Sequence, residues 1–171
     1  MEKVMSLSKQ KDLNEWRGIS TTEDAIDLID YGILLKWNEM RTLKKNFKDF
    51  DQEKIIRHFA YRLCERREMH LSAEIIVESL LIWLAASNNE KLIGAFLEEF
   101  FQQPGFEEAC LVLVKIVLSI ELSENSHVEE IFAMGVALIC ELGRSIKTVK
   151  EAYPGVLKNP DHLIEQISAY L

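Results

Sequence analysis

The chain has 171 residues, 48% of them apolar, with 20 Lys+Arg against 28 Asp+Glu and a formal net charge of −8. That is enough length and apolar content for a folded core without a disulfide or metal staple, and too much apolar content for a disordered chain. Only 7 Gly and 3 Pro are present, too few for an all-β protein with many tight turns.

The pattern is helical almost throughout. Residues 3–17 suit a short helix with Val4, Leu7, Leu13 and Trp16 as apolar contacts, ended by Gly18. Ser20 to Glu23 has the spacing of a capping box. It predicts a long helix to about Phe47, with Ile26, Ile29, Ile33, Trp37, Met40 and Leu43 on one face and Gly32 inside it. Asp49 or Asp51 opens the next helix, to about Met69, through Ile55, Ile56, Phe59, Leu63 and Cys64. A helix capped by Ser72 is apolar nearly all round from Ile75 to Leu84, which predicts a central position.

Asn88-Asn89 breaks the chain before a helix carrying Leu92, Ile93, Phe96, Leu97, Phe100 and Phe101, and Pro104-Gly105 turns it. Residues 106–122 form another apolar helix. Ser126 and Glu129 make a second capping box, and the helix they open reaches at least Leu142, with Gly143 stopping or interrupting it before Tyr153. After the Pro154-Gly155 turn, Asn159-Pro160 starts a last helix with Leu163, Ile164 and Ile167 inward.

The expected architecture is therefore all-α. About eight helices, antiparallel where loops are short, form an irregular helical bundle or a short stack of helical hairpins. They make one domain over residues 1–171, with a looser N-terminal helix at 1–18. No stretch reaches the roughly twenty apolar residues of a membrane span. The first twenty residues, interrupted by Lys3, Lys9, Lys11, Asp12 and Glu15, lack a secretory-leader core. Cys64, Cys110 and Cys140 form no C-x-x-C pair and fall in apolar helical patterns, so three buried thiols and a cytoplasmic location are expected.

Chemical motifs are scarce. No phosphate-cradling glycine loop and no nucleophile-elbow motif is present. The one Glu-x-x-His, Glu124 to His127, falls in a loop, where a solvated histidine is expected; Cys64, Glu68 and His70 do not share one helical face. No catalytic residue, metal site or cofactor is assigned. An enzyme would need residues that converge only in three dimensions.

Charge carries the functional signal. Residues 41–67 hold nine bases and four acids, whereas residues 74–141 hold two bases and twelve acids. Arg41, Lys44, Lys45 and Lys48 make a helical stripe, with Arg62, Arg66 and Arg67 one helix later, a candidate nucleic-acid surface. Helix C-terminal positions account for these bases, and the acidic whole disfavours nucleic acid. Glu98, Glu99, Glu107, Glu108, Glu121, Glu124, Glu129 and Glu130 are the candidate protein-binding residues. The expected function is a non-catalytic protein-binding helical module, an adaptor or an inhibitor of the immunity-protein kind, offering an acidic surface to a basic protein. That comparison rests on size and charge alone. The aromatics Trp37, Trp83 and Phe96 to Phe106 leave room for homo-oligomerisation if one core cannot bury them.

Overall fold

A computed structural model describes residues 15–65, 70–120, 127–152, 155 and 160–170, the side chains of 70–72 and 170 excepted. Most of the helix expected at 3–17 and the Ser126 cap lie outside these residues. Among the described residues there are eight α-helices and no strand: α1 (Thr22–Asp30), α2 (Trp37–Leu43), α3 (Gln52–Cys64), α4 (His70–Ser87), α5 (Lys91–Gln102), α6 (Phe106–Leu118), α7 (Val128–Ala152) and α8 (Pro160–Tyr170). Short 3-10 helices occupy Trp16–Gly18 and Lys44–Asp49. The fold is an all-α helical bundle. None of its described helices is long and apolar enough to cross a membrane.

The long helix expected from Ser20 to Phe47 is broken. Its N-cap is Thr21, whose Oγ1 accepts from the Asp24 amide at 3.1 Å. Gly32 then takes the left-handed conformation at φ 70°. The Gly32 amide donates to the Ile29 carbonyl and the Ile33 amide to the Leu28 carbonyl, both at 3.1 Å. That pair of bonds is a Schellman C-cap, which satisfies the last carbonyls of α1 and sends the chain out extended. Residues 33–36 are held by polar anchors: the Ser79 hydroxyl accepts from the buried Leu35 amide at 2.9 Å, and the Ile33 carbonyl accepts from Trp16 Nε1 at 2.8 Å. Helix α2 follows and runs directly into the Lys44–Asp49 turn.

Helix α4 is central, as its all-round apolar sequence predicts. It packs against α2, α3, α6 and α7. Its residues Leu80 to Trp83 are fully buried. Trp83 sits in an aromatic cage, with Trp16, Phe47 and Phe50 ring centroids at 6.1, 5.4 and 5.8 Å, and its Nε1 donates to Gln52 at 3.0 Å. Phe96 and Phe100 are also fully buried, and Trp37 is half-buried and stacks on His127 at 4.5 Å. These aromatics are accommodated within the chain, and His127 is a packed ring rather than the solvated loop residue its neighbourhood suggests.

Helix α7 continues unbroken through Gly143 to Ala152. At Gly135 it passes close to α6 and α4: an added Cβ would lie 2.7 Å from Val117 Cγ1 and 3.3 Å from Leu81 Cδ1. A single buried apolar cluster connects Trp16 to Ile167. Burying the apolar faces of these helices supplies the main drive for folding.

Candidate functional site

Helix α5 carries two apolar stripes. Leu92, Phe96 and Phe100 face the core and are buried. Displaced by one position, Ile93, Leu97 and Phe101 form a second stripe on the same helix. This second stripe meets α7 across an open groove of about 1050 Å³, whose α7 wall includes Ala137, Cys140, Ser145 and Val149. Gly94, which has nothing within 4 Å of an added Cβ, lines the groove together with Ala137 and Ser145. Glu90, Glu98 and Glu141 stand at its edges together with Arg144, which pairs with Glu141.

Glu98 is shared with a second, polar cleft through Arg57, whose Nη2 lies 3.2 Å from its carboxylate. This cleft, about 530 Å³, lies among α1, α3 and α5 and includes Ile26, Arg57, His58, Tyr61 and Glu99. Behind it, Asp30 Oδ1 is 2.7 Å from His58 Nε2 and 3.2 Å from Arg62 Nε, while Arg62 Nη1 reaches Glu65 at 2.6 Å. These charges clasp α1 to α3. Among the described residues lining the cleft there is no Ser, Thr or Cys beside His58. Nearby, Asp27 has its carboxyl raised above the usual range, first by burial and then by Asp24, Asp30 and Glu23.

The expected acidic set is thus divided. Glu98 lies on the groove, while Glu99 turns to the polar cleft and accepts from Gln103 Nε2 at 2.6 Å. Glu107 and Glu108 sit in the first turn of α6, and Glu129 and Glu130 in the first turn of α7, where anions suit the helix dipole. Glu121 and Glu124 lie outside the described residues. Glu90 and Glu141 are the groove acids that the site expectation omitted; the double stripe 92/96/100 and 93/97/101 was the sequence signal for them. The basic set divides too. Arg41, Lys44, Lys45 and Lys48 are exposed, but Arg62 is part of the α1–α3 clasp, with its side chain 13% exposed. Arg66 and Arg67 lie outside the described residues.

No family model, curated protein or solved structure matches the chain.

The thiols differ from expectation in one case. Cys64 and Cys110 are buried, and desolvation pushes Cys64 up to about 12 and Cys110 higher still. Both are therefore protonated and inert at neutral pH. Cys140 is exposed on the groove wall. The helical pattern around it is apolar, but position 140 falls on the side of α7 away from Leu138, Ile139 and Leu142. Among the described residues, no group of three or more His, Cys, Asp or Glu is placed to hold a metal ion.

Proposed function

We propose that the protein is a non-catalytic binding module whose α5–α7 groove receives an amphipathic helix from a basic protein partner. The observation that supports this reading is the second apolar stripe of α5, where half-buried Ile93 and Phe101 flank buried Leu97 on an open groove lined also by Glu90, by Glu98, which pairs with Arg57, and by Glu141, which pairs with Arg144. From Glu90 to Phe101 the groove follows about 16 Å of helix, which matches about three turns of a docked helix. Helix-in-groove recognition uses apolar anchors at i, i+3, i+4 and i+7. The edge acids favour lysines or arginines flanking such anchors, and they raise the association rate at low salt.

Two labelled helical peptides with the same leucine face test this, one flanked by lysines and one by glutamates. Fluorescence anisotropy is expected to show binding of the lysine peptide, weakening with salt, and little binding of the glutamate peptide. Ala137 is exposed on the groove wall, so A137R fills the groove without entering the core and abolishes binding. Failure of both peptides to bind, equal binding of the two, or unchanged binding to A137R would each overturn the proposal.

A further inference from the structure

Independently of the groove, we infer that the exposed face of α2 and the Lys44–Asp49 turn binds the phosphate backbone of a nucleic acid. Between residues 36 and 49 there are five bases, Lys36, Arg41, Lys44, Lys45 and Lys48, and two acids, Glu39 and the exposed Asp49. All five bases are exposed, and none forms an ion pair among the described residues. Of the two acids only Asp49, at the end of the run, lies at the surface. Glu39 is only 5% exposed and turns inward, where its two oxygens accept from the Lys36 amide at 3.0 Å and the Trp16 amide at 3.2 Å. The fold has removed the one carboxylate within the stripe and leaves Asp49, at its end, against five exposed bases.

The helix dipole explains only part of this arrangement. Arg41 and Lys48 lie in last turns, where cations are favoured. Lys44 caps the C-terminus of α2 and is favoured likewise, but Lys45 lies in no last turn, and Lys36, at the N-cap of α2, is set against the dipole.

The kind of partner follows from what the face lacks. The apolar residues of the run point inward: Met40 and Leu43 are buried, and Phe47 stacks on Trp83. A protein interface needs an apolar core with anchoring side chains, and a membrane-surface helix needs an exposed apolar face. Neither is available here. Charge without apolar surface is what phosphate contacts use. Exposed Asn38 and half-buried Thr42 and Asn46 add polar groups of the kind that hydrogen-bond phosphate oxygens. The run is about 22 Å long and spans about six phosphates of one duplex strand. Repulsion from the acidic remainder is screened beyond about 8 Å at physiological salt.

Anisotropy with a fluorescein-labelled duplex DNA of arbitrary sequence tests the inference. Binding is expected at low salt, with a log–log salt slope of about −3 to −4 for four neutralised phosphates. K44E/K45E is expected to weaken binding at least tenfold and to flatten the slope by about two. The charge-matched control K91E/K115E, also at exposed lysines, is expected to change it far less. Circular dichroism confirms that each variant is folded. No binding at low salt, equal losses in the two double variants, or equally tight binding of labelled polyglutamate would overturn the inference.

Discussion

Helix α7 contains two glycines whose replacement by alanine has opposite expected effects. At Gly143 nothing lies within 4 Å of an added Cβ. Alanine there gains only helix propensity, so G143A is expected to stabilise the protein by about 0.5–1 kcal/mol. At Gly135 the same gain is opposed by contact with Val117, whose two methyl carbons would lie at 2.7 and 3.0 Å, and with Leu81 Cδ1 at 3.3 Å. Val117 is β-branched and helical, so its χ1 cannot swing aside cheaply. Overpacking of this kind costs about 1–3 kcal/mol, which leaves G135A between neutral and about 2 kcal/mol destabilised. The two variants should therefore differ by about 1–3 kcal/mol. Urea unfolding followed by circular dichroism measures the difference, with an unchanged m-value as the check that both variants unfold alike. A G135A protein as stable as G143A would refute the claim that α4, α6 and α7 meet closely at this glycine.

Three further expectations concern polar and titratable groups. Glu39→Ala removes the acceptor of two amides in the N-terminal segment, and at about 1–3 kcal/mol per unsatisfied group should cost about 2–5 kcal/mol in urea unfolding, with Glu39→Gln intermediate. Of the three cysteines, native protein should react with Ellman's reagent at Cys140 alone and unfolded protein at all three; fast labelling of Cys64 or Cys110 would contradict their burial. Asp27→Asn should raise the melting temperature at neutral pH. The fold holds that carboxyl above its ordinary value of 3.8, so ionisation works against folding as pH rises through the raised value; the advantage of the variant should vanish below 3.8.

The helices were legible where clear punctuation bounded an apolar run, as Asn88-Asn89 and Pro104-Gly105 bound α5, or where the run was apolar nearly all round, as in α4, although α4 begins at His70, two residues before the expected Ser72 cap. The break at Gly32 was not, because Ile26, Ile29 and Ile33 keep helical spacing across it. The C-cap that ends α1 depends on a left-handed glycine, and periodicity carries no record of φ. Similarly, Glu39 reads locally as a surface acid among lysines. Only the return of Trp16 over α2, 23 residues away, makes it an interior acceptor. The groove was half-visible: the two stripes of α5 are present in the sequence, but which stripe is covered depends on where α7 crosses. Charge counts mark an acidic stretch of sequence but do not separate acids in first helical turns from those that line a groove.

The aromatic cage also fixes what light can report about this molecule. The chain has three tryptophans. Trp16 and Trp83 are 6.1 Å apart in the cage, and Trp37 stacks on His127. No tryptophan lines the α5–α7 groove. Intrinsic emission therefore follows the seating of the N-terminal segment on α4 and is silent about events at the groove. A tryptophan placed at Phe101 would give the groove a reporter of its own.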